Sequence, residues 1–245
     1  MPLISIVTPV HAASVRYLGE AYESLVTQVL PAGWEWQWVV QEDGQDGVIG
    51  GTLPTDDRIS AGSGRKGGPG LARTMALSRV GGELVKALDA DDLLLPGALA
   101  RDITVLSDRR LAWTTCGVLD LFPDGSTAGF AGDPPEGPLA RGSVLRYWVD
   151  NEFALPVVPG TLCVRRDLLL ALGGWMALPA SEDTGLVLAA NAVADGYFIG
   201  TPGMHYRKWP GQVTRHPAHH DPVERAARMS VVRARAEALL ARPTN

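Results

Sequence analysis

The chain has 245 residues, of which 46% are hydrophobic and 20% charged, so it can bury a substantial core and does not read as disordered. A formal net charge of −5 and only short basic clusters leave no electrostatic footprint for nucleic acid. Cys116 and Cys163 form no Cys-x-x-Cys pair, which points away from a zinc ribbon or disulfide framework and toward two reduced core thiols.

The N-terminal stretch carries Pro2 and Pro9 and no Lys or Arg before Arg16, unlike a signal peptide. No uncharged apolar run approaches the roughly 18 residues that span a bilayer. The expectation is a soluble cytoplasmic protein, with peripheral membrane contact left open.

Leu3–Pro9 reads as a first strand stopped by proline. A helical pattern follows over Val15–Val29, with Leu18, Tyr22, Leu25 and Val29 on one face. Trp36–Val40 is a second strand running into Gln41-Glu42-Asp43-Gly44, and Arg58–Ser60 a short third one. Gly62–Gly70, rich in glycine, reads as a loop, followed by a helix over Leu71–Arg79 that Gly81-Gly82 would cap. Leu84–Leu88 reads as a buried strand, Pro96–Ser107 as a helix and Ala112–Leu119 as a strand. Pro123–Pro138 looks like a long loop of the kind that often shapes a binding site. Beyond it come a helix over Leu139–Val149, a strand over Thr161–Val164 and a helix over Arg166–Leu172 closed by Gly173-Gly174. A helix over Ser181–Ala194 with Ser181 as its cap, a strand over Tyr197–Thr201 and a terminal helix over Pro222–Ala241 complete the chain. Strands alternating with helices predict βαβ units and a Rossmann-like, mainly parallel sheet flanked by helices. No repeat or linker divides the chain, so a single domain over 1–245 is expected.

The chemistry concentrates at a few points. Leu84-Val85-Lys86-Ala87-Leu88 ends in Asp89, Asp91 and Asp92. Clustered carboxylates at a strand end repel one another unless a hard divalent cation or ligand hydroxyls intervene, and strand ends are where open α/β sheets bind ligands. The alternative is that Asp91 and Asp92 cap the helix near Pro96. Glu42-Asp43 reads either as a surface turn or as acceptors for a nucleobase or ribose. Arg65-Lys66-Gly67-Gly68-Pro69-Gly70 leads into a helix carrying Arg73 and offers a weak anion-binding signal. Glu182-Asp183 opens another helix, where acidic residues suit the macrodipole but could also supply a general base. His205, Arg207 and Lys208 could meet a metal or a diphosphate, or form a solvated patch. His216, His219, His220 and Asp221 look like metal ligands by composition and read better as a solvated loop.

Taken in order, these residues resemble a family 2 glycosyltransferase of the GT-A fold, over roughly residues 3–215. Ile4-Ser5-Ile6-Val7-Thr8-Pro9-Val10 resembles that family's first strand. Val39-Val40-Gln41-Glu42-Asp43-Gly44 resembles its Val-Val-x-Asp-Asp-Gly segment, with Glu42 in place of the first Asp. Gly68-Pro69-Gly70-Leu71-Ala72-Arg73-Thr74 resembles its Gly-x-x-x-Ala-Arg-Asn segment, with Thr74 in place of Asn. Gly82 to Asp92 matches its Asp-x-Asp region, and Glu182-Asp183 its Glu-Asp pair.

The resemblance implies a nucleotide-sugar-binding half over about 1–120, an acceptor-side half over about 121–220 and a C-terminal helix over about 221–241. It implies that Thr8, Glu42 and Asp43 face the base, with Pro9, Lys66 and Arg73 also on the donor. Asp89 and Ala90 would meet the ribose side, Asp91 and His205 would hold Mn²⁺ or Mg²⁺, and Asp183 would be the base. The implied reaction is inverting transfer from a nucleoside diphosphate sugar, UDP-sugar first and GDP- or dTDP-sugar next, to a small-molecule, glycan or lipid-linked acceptor. The Pro123–Pro138 loop and the Trp148–Phe153 region would shape the acceptor side, and Trp175 would stack on a sugar or sit in the core. The arginine-bearing terminal helix reads as a packed cap, a peripheral membrane contact or a homodimer surface. Two other readings are a sugar-phosphate nucleotidyltransferase and a non-catalytic nucleotide-sugar-binding protein. The first is disfavoured because no glycine-rich basic loop follows the first strand directly.

Overall fold

The computed structural model describes residues 1–212, 214 and 220–243. In chain order the strands are β1 (Leu3–Val10), β2 (Glu35–Asp43), β3 (Ile59–Gly64), β4 (Leu84–Ala87), β5 (Leu93–Leu94), β6 (Trp113–Leu121), β7 (Thr127–Gly129), β8 (Gly137–Leu139), β9 (Cys163–Arg165) and β10 (Gly196–Arg207). The helices are α1 (Leu18–Val26), α2 (Pro69–Ala76), α3 (Ala98–Val105), α4 (Ser143–Asp150), α5 (Arg166–Ala171), α6 (Glu182–Val193) and α7 (Pro222–Leu240).

The strands form one sheet in the order β3-β2-β1-β4-β9-β6-β10-β5, with β7 on β6 and β8 on β10. From β3 to β4 all pairs are parallel. Beyond β4 the sheet is mixed: β9 is antiparallel to both neighbours, while β6 and β10 are parallel. The central strands are apolar on both faces because helices cover both. Ile4, Ile6, Trp38 and Val40 face a core with Leu18, Ala21 and Leu25 of α1. Val7, Val39, Val85 and Ala87 face a second core with α4, α6 and α7.

One ion pair is embedded in the sheet. Lys86 Nζ lies 2.8 Å from Asp102 of α3, with both side chains 1% exposed. Lys86 also donates to the Thr161 carbonyl at 2.6 Å, and Thr114 Oγ1 donates to Asp102 at 2.6 Å. The aspartate outweighs the effect of burial and keeps the Lys86 ammonium charged.

Several boundaries differ from those the sequence suggests. Val29 is exposed, because the first helix stops at Val26. Gly82 is not a left-handed cap; it is where the chain passes β1 so closely that a Cβ would fall 2.6 Å from the Ser5 amide nitrogen. Leu139 ends a strand, and α4 starts only after Gly142, whose φ of 76° turns the chain. The Pro123–Pro138 loop contains β7 and most of β8. The last strand continues to Arg207 because a register shift between Ile199 and Met204 absorbs Gly200–Gly203. Among the described residues no helix is long and apolar enough to cross a membrane.

Candidate active site

The paired register sets Val10 against Glu42 and Val7 against Ala87, so β1, β2 and β4 end together at one edge. Ligands bind at this edge in open α/β sheets. A cavity of about 1080 Å³ opens there, lined by Pro9, His11, Asp43, Lys66, Ala90 and the carboxylates of Asp89, Asp91 and Asp92. Its far wall carries Trp148, Phe153 and Leu155, then Ser181 to Thr184 at the start of α6. Glu224, Arg225, Arg228 and Met229 of α7 close it.

Arg73 is the hub. It is 3% exposed, and its Nη1 donates 2.8 Å to Glu182 Oε1 while Nη2 bonds Asp89 Oδ1. Burial opposes its charge, but the Asp89, Glu182 and Asp183 carboxylates outweigh that and hold the guanidinium protonated. Arg73 itself lines the cavity, and its Nη1 and Nη2 each give a bond to a protein carboxylate, which joins the β4 edge to α6.

Asp183 sits in the first turn of α6 and accepts from the Thr184 amide at 2.6 Å. Burial raises its carboxyl above the usual range, against the pull of Arg73. Burial and then the Asp183 charge raise Glu182 to about 7. Two neighbouring carboxyls sharing one guanidinium titrate as a pair. Ser181 leads into this turn with a left-handed φ of 64° and makes no side-chain cap bond, contrary to its expected role. A strained residue directly before the buried Glu182 and half-buried Asp183 is the kind of backbone that functional sites retain.

The Asp cluster divides its contacts. Asp91 Oδ2 accepts from the Trp209 indole at 2.6 Å, and its carbonyl accepts from Arg207 Nε at 2.7 Å. Burial and the Asp89 charge raise the Asp91 carboxyl, while the Trp209 bond and the His11 charge pull it down. Asp92 is 2% exposed, accepts from the Arg207 amide at 2.9 Å, and is raised well above the usual range by burial and its two neighbours. It does not cap α3, whose N-cap is Gly97.

The other expected site residues divide between the cavity and its surroundings. Thr8 is fully buried, accepts from the Trp38 indole at 2.8 Å and does not line the cavity. Glu42 is 2% exposed, also off the cavity, with Oε1 accepting from the Val48 amide at 3.3 Å and Oε2 unpartnered. Asp43 lines the cavity, yet accepts from the Gly67 and Gly68 amides at 2.7 and 3.0 Å. The glycine-rich loop is thus no open phosphate cradle, because those two amides already bind a carboxylate. His205 stands on β10 between Met204 and Tyr206, and of these three Tyr206 lines the cavity. Strand alternation turns His205 to the other face. Arg207 bonds Glu20 at 2.7 Å and stacks 4.5 Å over Tyr17, so its charge is committed to the fold. Trp175 is 5% exposed, with Arg73 5.9 Å from its ring, and is a core residue.

The Pro123–Pro138 segment does not line this cavity. His216 and His219 lie outside the described residues. His220 Nε2 contacts the Thr214 carbonyl at 3.1 Å, and Asp221 caps α7 by accepting from the Glu224 amide at 2.8 Å. The sequence reading missed two contributors. His11 directly follows the first strand beside the carboxylates, and its position there was the available signal. The α7 arginines reach the cavity because Met229, Val232 and Ala236 seat that helix in the core shared with α6.

Among the described residues no three His, Cys, Asp or Glu side chains form a preformed metal cage. The donor set at the strand end is carboxylate oxygen, with Asp91 and Asp92 raised by burial and by neighbouring charge. That chemistry suits Mg²⁺ or Mn²⁺ bound through one or two carboxylates plus substrate phosphates.

No family model matches the chain, and no curated protein matches it. Among solved structures, residues 1–349 of S. aureus TarS in complex with UDP-GlcNAc superpose with a TM-score of 0.70 at 19% identity, covering 98% of this chain and 71% of that one. The same protein with UDP gives 0.68 at 18% identity, over 98% and 70% of the two chains. A further crystal structure of TarS residues 1–349 gives 0.66 at 17% identity, over the same shares. At this identity the likeness is one of fold, and that fold is the GT-A arrangement.

Proposed function

We propose that this chain is a glycosyltransferase that moves a sugar from a nucleoside diphosphate sugar, a UDP-sugar first, to an acceptor hydroxyl with inversion at the anomeric carbon. The observation that carries the reading is the Arg73 bridge, which brings Asp89 at the β4 edge and Glu182-Asp183 at the head of α6 into one cavity. The TarS complexes with UDP-GlcNAc and UDP, on the same fold, support the choice of donor.

In this reading Asp89 and Asp91 face the donor, and Asp183 faces the acceptor hydroxyl. Asp183 takes the hydroxyl proton as the acceptor oxygen forms a bond to the anomeric carbon. The bond from that carbon to the β-phosphate oxygen breaks, and its electron pair leaves with the nucleoside diphosphate. A base raised by burial toward the working pH suits this step. Mn²⁺ or Mg²⁺, held by Asp91 and the donor phosphates, would neutralise charge on the leaving diphosphate. Arg73 orients Asp89 and Glu182 and so fixes the distance between the two halves of the site. Lys66 adds positive charge on the donor side, and Trp148, Phe153 and Leu155 wall the acceptor side.

Calorimetric titration of UDP, GDP, dTDP and CDP, each with and without Mn²⁺, tests the reading. UDP with Mn²⁺ is expected to bind most tightly. Failure of every nucleotide to bind would overturn it.

A further inference from the structure

We infer that Trp209 is a positioning residue that fixes Asp91 for a divalent cation, an inference that rests on the cation-assisted reading above. The indole is 7% exposed and its Nε1 donates 2.6 Å to Asp91 Oδ2. The ring is held from its other sides. Tyr17 meets it edge-on with centroids 5.3 Å apart, and the Arg16 guanidinium lies 4.7 Å over it. The Trp209 amide donates to Gln212 Oε1 at 3.3 Å, and a Cβ on Gly211 would fall 2.0 Å from the ring.

These contacts leave the indole little freedom, so the N–H points at one place. An indole N–H is a donor only, carries no charge and does not titrate, so it cannot compete for a cation. It engages one oxygen of Asp91 and leaves Oδ1 as the oxygen that meets the ion. The Arg207 bond to the Asp91 carbonyl fixes the backbone in the same way. A cation with few protein ligands depends on how well each one is oriented, and outer hydrogen bonds of this kind typically contribute about 10–100-fold in metal affinity.

The test uses the whole protein with Mn²⁺ and UDP as probes. Trp209→Phe keeps an aromatic ring between Tyr17 and Arg16 and removes the N–H donor together with one ring of the indole. Its Mn²⁺ affinity in the presence of UDP is expected to fall by about 10-fold or more, with the UDP affinity without metal unchanged. An unchanged Mn²⁺ affinity would overturn the inference. Wild-type protein labelled with ¹⁵N gives a readout that does not depend on the variant folding. With UDP present, substoichiometric Mn²⁺ should broaden the Trp209 indole resonance before those of the other tryptophans. Broadening of other indoles with the Trp209 resonance left sharp would also overturn it. If Mn²⁺ with UDP neither binds the wild type nor broadens any indole, the cation reading itself falls.

Discussion

Arg73 Nη1 donates 2.8 Å to Glu182 Oε1 across 109 positions of sequence, and both side chains are nearly sealed from solvent. The same guanidinium also bonds Asp89. A planar fork with diverging donors can serve two carboxylates at once, whereas an ammonium is a point charge on a flexible stem. Arg73→Lys is therefore expected to lower turnover by about 10–100-fold while leaving nucleotide binding measurable. Arg73→Met, which leaves Glu182 buried without its partner, should cost about 3–5 kcal/mol in urea unfolding. Native turnover in Arg73→Lys would show that the bridge is dispensable.

The pH dependence has a defined sign. Glu182 is raised from 4.5 to about 7, so between those values the folded protein holds a proton that the unfolded chain has lost. Its stabilising contribution is complete below 4.5 and disappears as pH rises through about 7. Melting temperatures should fall over that window, and Glu182→Gln should flatten the slope. Turnover should move the opposite way, rising with pH as the Glu182–Asp183 pair loses its proton. A wild-type rate that is flat from pH 5 to 8 would contradict the assignment.

The Lys86–Asp102 pair makes a prediction about the scaffold. Asp102→Ala leaves a buried ammonium with only the Thr161 carbonyl as a nearby partner and should cost about 3–5 kcal/mol. Pairing Lys86→Met with Asp102→Leu should recover much of that loss, because no buried charge remains. A double-mutant cycle in urea measures the difference.

Gly70 separates α2 from α6. A Cβ there would lie 2.7 Å from Glu182 Cγ and 2.8 Å from the Met176 carbonyl oxygen. Gly70→Ala should push the helices apart, cost about 1–3 kcal/mol and reduce turnover more than nucleotide affinity. Equal losses in both would show that the glycine is needed only for packing.

Much of the fold was legible because the parallel half of the sheet is written in short apolar runs punctuated by Gly and Pro. The Asp89–Asp92 cluster could be read at a strand end, and the structure sets Asp89, Ala90, Asp91 and Asp183 around one cavity. Pairings made at a distance were not legible. Nothing in the spacing of Asp43 and Gly67 says that the carboxylate would occupy the loop's amides. Thr8 and Glu42 follow the motif but lie off the cavity, Thr8 accepting from the Trp38 indole and Glu42 from the Val48 amide, partners that the motif does not reveal. Met204 and Tyr206 take one side of β10 and His205 the other, and the register shift between Ile199 and Met204 decides which. The course of α7 along the cavity depends on its packing against α6, which local sequence does not encode.

Asp183→Asn tests the central claim most directly, through release of UDP at saturating UDP-sugar. The account predicts a fall of about 10²–10⁴-fold relative to wild type, with UDP affinity unchanged. Turnover equal to wild type would remove Asp183 as the base.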